Sequence, residues 1–357
     1  MNNRTYIILS IIFVVLVAVY VLIQKTEQKK VINKQDTIEI IPSDFPVDKI
    51  NKIEMVKGDK KFVLEKRNKI WYVPTSFDYK AEQNKFEYIF KELKGLKAVL
   101  KEKDSQILDD YGLGDKNSIN VVISTEDGKH VKFLLGKKNP NNNESFIRLL
   151  DAKDVLIATK DIHSLFLVYG DNDMPDSKSW VDHKAFQCDR ANIKRAEVHL
   201  GKDIIILERT EYKEKEEEVD DPDAKGAKKT KKIKEAKWTI TSPKIANIDQ
   251  QKVESFMNAV SSIYANDTCE PGKEKEFGLD PIEKYIIIEL DDNKSYKFIY
   301  GKMKDNNNSY FKIDGEKAIY AINEYTRNMS IRDAEGYKKE EKKENDASTK
   351  KALNPKP

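Results

Sequence analysis

The chain has 357 residues, and at about 150 residues per domain this length leaves room for two domains and accessory segments. Hydrophobic residues make up 39% of it, which is enough for buried cores, while 64 basic and 61 acidic residues leave a net charge of only +3. Because so even a balance does not attract a polyanion, the composition argues against nucleic acid as a partner.

The first segment, residues 1–35, is predicted to be a transmembrane anchor followed by a short stalk. Tyr6 to Ile23 is free of charged residues, and a helix of that length spans about 27 Å, close to the hydrocarbon thickness of a bilayer. No small-x-small cleavage pattern separates this stretch from Gln24 and Lys25, which favours an uncleaved anchor over a secretory signal peptide. Basic residues lie on both sides of it, so the charges leave its orientation open.

The remainder of the chain contains an internal duplication. Glu65 aligns with Glu208 at an offset of 143 residues, whereas Trp71 aligns with Trp238 at an offset of 167. The second copy therefore carries an insertion of 24 residues, which lies within residues 211–236. Self-similarity maintained in one order over so long a stretch is typical of tandem repeats of one domain.

The insertion 211–236 is an acidic block followed by a lysine block, with Pro222 and Gly226 at the junction. So few apolar residues cannot form a core, and the pattern predicts a solvated loop or an extended hairpin. Lysines 225–234 could contact anionic lipid or an acidic partner, or the neighbouring acidic block could neutralise them internally. The role of the insertion stays open.

Each copy is predicted to fold as an α+β domain, a mostly antiparallel sheet with an amphipathic helix packed on it. Alternating apolar residues predict strands, and Asp127-Gly128 between two such segments indicates a hairpin. One apolar stripe at helical spacing follows each tryptophan strand. Its members are Phe86, Ile89, Phe90 and Leu93 in the first copy, and Val253, Phe256, Met257 and Val260 in the second.

Further matches follow the helices. Tyr111-Gly112-Leu113 aligns with Phe277-Gly278-Leu279 at an offset of 166, and an offset of 165 superposes Gly136 on Gly301 and Phe146 on Phe311. The predicted organisation is a first repeat domain at 36–170, a linker at 171–190 and a second repeat domain at 191–330. Residues 331–357 are rich in lysine and glutamate and are predicted to be a disordered tail.

Each copy resembles the bacterial "domain of unknown function 4340" family, on three features. These are the strand ends Trp71 to Pro74 and Trp238 to Pro243, the amphipathic helix after each, and the aromatic-Gly-Leu turn that continues to Pro281 in the second copy. The resemblance covers residues from about 48 to 330 and departs from the family pattern at Gly114-Asp115, where Asp-Pro is usual.

The resemblance implies a single-pass protein of the cytoplasmic (inner) membrane whose body lies in the periplasm. It further implies an accessory or scaffold, with subunits of an ABC transporter of the gliding-motility type among the expected partners. The alternative is an extracytoplasmic binding module for glycan, lipid or peptide. The family supplies no active site.

The sequence predicts no catalytic, cofactor-binding or metal-binding residue, and the protein is expected not to be an enzyme. It contains no G-x-S-x-G, P-loop or G-x-G-x-x-G motif. No histidine belongs to an H-E-x-x-H pair; the four histidines are His130, His163, His183 and His199. Cys188 and Cys269 could form one disulfide bond or remain independent thiols.

Four other polar or aromatic features favour a structural interpretation. The turn at 111–114 is expected to end a helix, with glycine at positive φ. Asparagines 141–143 and 306–308 are expected to form turns rather than calcium sites, because too few carboxylates accompany them. The acidic run Asp171, Asp173 and Asp176 lacks the glycine and glutamate of a calcium loop, and Trp71 and Trp238 are predicted to pack in the cores.

Overall fold

The computed structural model describes Val17 and residues 37–139, 144–169, 174–220 and 228–339; within 211–235 it describes only the backbone of the strands. The chain divides into two compact units, Met1–Val181 and Asp182–Pro357. No helix in the described ranges is long and apolar enough to cross a membrane. The predicted anchor and stalk at 1–35 lie outside those ranges, apart from Val17.

The described part of the first unit forms a single antiparallel sheet and two helices. Its elements are β1 (Thr37–Glu39), β2 (Ile50–Lys57), β3 (Lys60–Arg67), β4 (Ile70–Val73), β5 (Tyr79–Lys80), α1 (Lys85–Leu93), β6 (Lys97–Glu102), β7 (Ile119–Thr125), β8 (His130–Lys138), β9 (Ser145–Arg148), β10 (Val155–Ala158) and α2 (Ile162–Leu165).

The described part of the second unit forms a large antiparallel sheet, a two-stranded sheet and two helices. Its elements are β11 (Lys184–Gln187), β12 (Ile193–Leu200), β13 (Asp203–Asp220), β14 (Lys228–Ser242), α3 (Gln250–Ser261), β15 (Ser262–Tyr264), β16 (Asp267–Cys269), β17 (Lys284–Leu290), β18 (Ser295–Met303), β19 (Asn308–Ile313), β20 (Ile319–Asn323) and α4 (Glu324–Ser330).

The two large sheets have the same strand order. The first contains the sequence β6-β10-β9-β8-β7-β2-β3-β4, and the second reads β16-β20-β19-β18-β17-β12-β13-β14. In each, a central strand (β2 or β12) leads into a hairpin on one side, and the chain then passes through a helix to the far side of the sheet (β6 or β16). It returns to the centre at β7 or β17 and fills the remaining positions outward, while β1 adds a further strand beside β6 in the first unit. The predicted α+β repeat with a mostly antiparallel sheet is therefore present in both halves of the chain.

The helices follow the predicted apolar stripes and cover one face of each sheet. All four stripe residues of α3 are fully buried, and Phe86, Ile89 and Leu93 of α1 are buried as well. A smaller apolar cluster lies apart from the helix side in each unit. It contains Leu113, Leu134, Phe146 and Val155 in the first unit, and Cys269, Phe277, Leu279, Ile299, Ile319 and Ala321 in the second.

The strand register corrects one alignment made from the sequence. Leu135 pairs with Ile147 in the first unit, and its equivalent Tyr300 pairs with Phe311 in the second. Phe146 is therefore equivalent to Tyr310, not to Phe311. The connection before this strand is one residue shorter in the second copy, and a shift of one residue moves every side chain to the opposite face.

The boundary between the units falls inside the predicted linker 171–190. Residues 177–180 form a 3-10 turn of the first unit, where Trp180 is buried against Phe62 at a ring distance of 5.5 Å. Residues 184–187 form β11 of the second unit and pair with β15. This segment is thus divided between the two folds.

The predicted disordered tail, 331–357, begins too early. Residues 331–339 pack on the second unit, where Tyr337 is fully buried and its ring lies 5.8 Å from that of Phe256. The Tyr337 carbonyl also accepts a hydrogen bond from Asp249 N at 2.9 Å. Ile331 and Ala334 of the same segment also pack against the core, and residues 340–357 lie outside the described ranges.

Candidate functional site

A glutamine side chain is bonded to the tryptophan strand in both units. In the second unit, Gln250 accepts from Trp238 N at 3.0 Å and donates to Trp238 O at 2.9 Å. Gln83 makes the same pair of bonds to Trp71 in the first unit, at 2.9 and 3.1 Å. Both tryptophans are buried, as predicted, and Trp71 stacks on Phe86 at 4.3 Å.

The aromatic-Gly-Leu turn contacts the sheet in the same way in both units. Gly112 has a φ of +68° and Gly278 a φ of +70°, the left-handed conformation expected for this turn. A Cβ atom on Gly136 would lie 2.4 Å from the Tyr111 carbonyl, and Gly301 is equally close to the Phe277 carbonyl. These glycines allow backbone to approach backbone, so the motifs that carry the duplication are structural.

Features that the duplicated motifs do not explain are better candidates for function. The first unit has two clefts on either side of α2 that share Tyr169. The second unit has the extended β13–β14 hairpin.

Helix α2 is short and is held by side chains at its start. Asp161 accepts from Ser164 N at 3.0 Å as the N-cap, and Lys138 Nζ lies 3.0 Å from Asp161 Oδ2. These bonds and the lysine outweigh the opposing effect of burial and lower the pKa of Asp161. Leu167, directly after the helix, has a φ of +56°, an unusual conformation for leucine that the turn imposes.

The first cleft, which we call the tyrosine cleft, lies between α1, α2 and the 3-10 turn at Trp180. It has a volume of about 480 Å³, within the range of small-molecule sites. Tyr88 and Tyr169 line it and are 62% and 53% exposed, whereas Ile89, Leu165 and Trp180 are buried. The tyrosine cleft therefore offers aromatic side chains to solvent above an apolar floor.

Every charged residue on the rim of the tyrosine cleft has a protein partner. Glu92 pairs with Lys160 at 3.2 Å, and Lys85 Nζ bonds to Glu82 and to the Ser179 carbonyl, each at 2.8 Å. Asp161, the remaining charged rim residue, pairs with Lys138 as described above. The rim is polar but balanced in charge.

The second cleft, which we call the lysine cleft, has a volume of about 540 Å³ and lies between β8, α2 and the turn at 109–119. Its basic residues are already engaged in part, since Lys137 Nζ donates to the Asp110 carbonyl at 3.1 Å and Lys138 pairs with Asp161. Asp109 also lines it and accepts from Asn117 at 3.0 Å. Because of this pairing, the lysine cleft is a weaker candidate for an anion-binding site.

His163 lies at the base of the lysine cleft and is paired with Ser145. The His163 Nδ1 atom is 2.8 Å from Ser145 Oγ, and burial, with help from Lys138, lowers the pKa of His163 to about 4. Ser145 Oγ also accepts from Ile162 N at 3.2 Å. Because Ser145 is fully buried and serves the start of α2, this pair stabilises the helix rather than presenting a nucleophile.

The other histidines lie apart from the clefts. His130 is exposed at the start of β8, and His183 is half-buried in the second unit. His199 stacks on Tyr285 at 4.1 Å and bonds to Glu197 at 2.9 Å. Burial raises the pKa of Glu197, but the bonds to His199 and Arg195 outweigh it and lower that pKa overall.

Two further candidates from the sequence are turn formers. Asp305 Oδ1 accepts from Asn307 N at 2.8 Å and from Asn308 Nδ2 at 3.0 Å, which is the predicted turn at 306–308. Asp176 caps the 3-10 turn by accepting from Lys178 N at 3.1 Å. Asparagines 141–143, Asp171 and Asp173 lie outside the described ranges, and within those ranges no cluster of residues could hold a metal ion.

The two cysteines both lie in the second unit and are not joined to each other by a disulfide bond. Cys269 is buried in the smaller apolar cluster. Cys188 is half-buried, and burial, with Asp189 nearby, raises the pKa of its thiol to about 11.

In the second unit, the insertion continues the β13–β14 hairpin. The first unit closes the equivalent hairpin with the turn Asn68-Lys69, whereas the second extends it through 211–236, about 33 Å further along the strands. The register places acidic residues opposite lysines, as Glu214 opposite Lys234 and Glu216 opposite Lys232. This extension is the largest difference between the two sheets in the described residues.

Comparison with known proteins identifies the family of the chain. The model of the family described as "Domain of unknown function (DUF4340)" matches residues 71–236 and again 238–349, together more than three quarters of the chain. Each match starts at a strand tryptophan, Trp71 or Trp238, so it begins inside the β3–β4 or β13–β14 hairpin rather than at the boundary between the units. No curated protein matches the chain. The chain therefore belongs to the DUF4340 family, in two adjacent copies.

Proposed function

We propose that this protein is a membrane-anchored, extracytoplasmic scaffold or accessory protein without enzymatic activity. In this proposal residues 1–35 hold the chain in the cytoplasmic membrane, and the two sheet units project into the periplasm toward a partner complex. Subunits of an ABC transporter are the partners that we would test first.

The observation that carries the proposal is the extended hairpin on one of two otherwise alike sheets. Both units keep the same strand order, the same glutamine bonds and the same glycine contacts, while residues 211–236 replace a two-residue turn in the second. A long arm with charges of both signs adds no core, but it adds surface for a charged protein partner. Duplicated cores with unlike surfaces suit a protein that holds partners rather than one that converts a substrate.

The test is co-purification from the membranes of the native cell after mild crosslinking. The full chain should retrieve transporter subunits, and a variant in which residues 211–236 are replaced by Asn-Lys, the turn of the first unit, should retrieve far less. Reproducible absence of transporter subunits from the full-chain sample would overturn the proposed partner. Equal retrieval by both proteins would overturn the role of the hairpin.

A second candidate is a binding module for glycan, lipid or peptide, and the tyrosine cleft favours it. A scaffold needs no cleft of about 480 Å³ lined by two exposed tyrosines. The two functions are compatible, because the cleft is on the first unit and the hairpin on the second. Ligand titration distinguishes them, since a scaffold alone would show no saturable binding of a small molecule.

A further inference from the structure

We propose that the tyrosine cleft binds a neutral saccharide, with the rings of Tyr88 and Tyr169 packing against the sugar. This inference deepens the second candidate function above, and it does not depend on the scaffold role. The aromatic rings, the charges of the rim and the difference between the two units each support it.

The exposed tyrosines provide the first argument. Tyr88 lies on α1 and Tyr169 follows α2, and both line one cleft above the buried Ile89 and Leu165. A tyrosine ring has a negative face, which attracts the weakly positive C–H groups on one side of a pyranose ring. Its hydroxyl can remain in water or bond to a sugar hydroxyl at the same time.

The charges of the rim provide the second argument, because they favour a neutral ligand over a charged one. Both carboxylates, Glu92 and Asp161, have lysine partners within 3.2 Å, and Lys85 is bonded to Glu82. A phosphate or carboxylate ligand would need an unengaged cation, and a cationic ligand would need an unengaged carboxylate. Paired carboxylates keep lone pairs and paired lysines keep N–H groups, and both can bond to neutral hydroxyls.

The second unit provides the third argument, because the same fold lacks these groups. Helix α3 has Ser255 at the position of Tyr88 and Ala259 at the position of Glu92, counted from the equivalent glutamines Gln83 and Gln250. Tyr88 and Glu92 are therefore not needed to build the sheet or to pack this helix. They belong to the surface of the first unit alone.

Trp180 provides a means of detecting the ligand. It lines the tyrosine cleft, is almost fully buried, and its indole Nε1 has no hydrogen-bond partner among the described residues. A ligand that fills the cleft changes the polarity around this indole. Binding should therefore change the tryptophan fluorescence of the chain.

The experiment uses the full chain, purified without alkyl-glycoside detergents because their sugar headgroups would compete. Cellotetraose, chitotetraose and maltotetraose are titrated as neutral probes and tetragalacturonate as an anionic one, followed by calorimetry and tryptophan fluorescence. At least one neutral probe should bind saturably with one site per chain and a Kd below about 1 mM, and more tightly than the anionic probe. The absence of saturation by all three neutral probes, or tighter binding of tetragalacturonate, would overturn the proposal.

Variants locate the site. Tyr88→Ala and Tyr169→Ala should each raise the Kd of the neutral probe by about fivefold or more. Tyr88→Phe, which keeps the ring, should have a Kd within about twofold of the wild-type value. Tyr264→Ala and Tyr325→Ala are the matched controls, since both tyrosines are exposed in the second unit and should leave Kd unchanged. An unchanged Kd in Tyr88→Ala would overturn the site. Because these variants leave the hairpin intact, failure here leaves the crosslinking result of the scaffold proposal unaffected.

Discussion

Gln83 and Gln250 supply hydrogen bonds that a neighbouring strand would otherwise supply. Each primary amide offers one acceptor and one donor at the spacing of a backbone, and each bonds to both polar groups of a tryptophan residue. In the second unit, Trp238 lies in β14, an edge strand of the described sheet. An edge residue without such a partner is exposed to pairing with another chain.

At this residue scale we expect Gln250→Ala to loosen the edge strand locally. Loss of two hydrogen bonds, each worth about 1 kcal/mol, should speed hydrogen exchange of the Trp238 backbone amide by about tenfold or more. Gln251→Ala, which removes the exposed neighbouring side chain, should leave the exchange rate unchanged. Equal rates in the wild type and Gln250→Ala would show that the two bonds from Gln250 do not protect this amide.

His163 should make the stability of the first unit depend on pH. Its pKa in the folded protein is lowered to about 4, mainly by burial, so the unfolded chain takes up the proton first as the pH falls. The stabilisation is complete above the ordinary histidine pKa of about 6.5 and is lost as the pH falls toward 4, by about 2 kcal/mol between pH 7.5 and pH 5.

The measurement is the free energy of unfolding of the first unit at both pH values. In His163→Asn, the new side-chain oxygen can still bond to Ser145 Oγ, but the pH-dependent contribution of the imidazole to the free energy of unfolding is absent. The variant should therefore lose less stability than the wild type between the two pH values. Parallel pH profiles of the two proteins would contradict the assignment.

At the scale of elements, the sequence predicts those parts of the fold that repeat a local period. The apolar stripes predict α1 and α3, and the two alignment offsets place the insertion at a hairpin turn. The sequence alignment misses the equivalence of Phe146 with Tyr310, because it matches Phe146 to the identical residue Phe311. The strand register is set instead by the length of the preceding connection, which is one residue shorter in the second copy.

The clefts and the docked tail could not be predicted from local patterns. Tyr88 and Tyr169 are separated along the chain and meet only because α2 folds back beside α1. Tyr337 is one aromatic residue in a charged segment, and it is the contacts of this segment with the second unit, such as that of Tyr337 with Phe256, that show the segment to be ordered. Tertiary contacts decide both features.

The hairpin extension should be separable from the stability of its sheet. Thr210 and Lys237 occupy the positions of Arg67 and Ile70, which the first unit connects with Asn68-Lys69 alone. Replacing 211–236 by Asn-Lys should therefore change the free energy of unfolding of the second unit by less than about 1 kcal/mol. Thermal unfolding checks this, with the wild type as reference; a loss of several kcal/mol would mean that the arm supports the sheet.

At the scale of the whole molecule, the two compact units and the two segments matched by the family have different boundaries. They therefore predict different fragments that fold on their own. Residues 182–339 contain the whole main apolar cluster of the second unit, whereas 238–349 lacks β12 and β13, which connect β14 to β17. We expect the fragment 182–339 to unfold cooperatively and the fragment 238–349 to show no cooperative transition, as measured by circular dichroism during denaturation. Cooperative unfolding of 238–349 would show that the central hairpin is dispensable.

The proposed membrane topology makes a separate prediction for the intact chain. Phosphatase fused to the C-terminus should be active, because the proposal places the body in the periplasm, where the enzyme acquires its disulfide bonds. Green fluorescent protein fused at the same position should be exported and should therefore not fluoresce. An inactive phosphatase fusion and a fluorescent green fluorescent protein fusion would place the body in the cytoplasm and overturn the proposed periplasmic partners.

The shared strand order has one more consequence, for the way the chain folds. The hairpins β2–β3 and β12–β13 occupy the same place in their sheets, the first between β4 and β7 and the second between β14 and β17. Either hairpin can therefore compete for the other's sheet, and such strand exchange between neighbours is a characteristic misassembly of tandem repeats. Because the charged arm continues β13, a molecule in which β12–β13 pairs into the first sheet would carry that arm on the wrong unit.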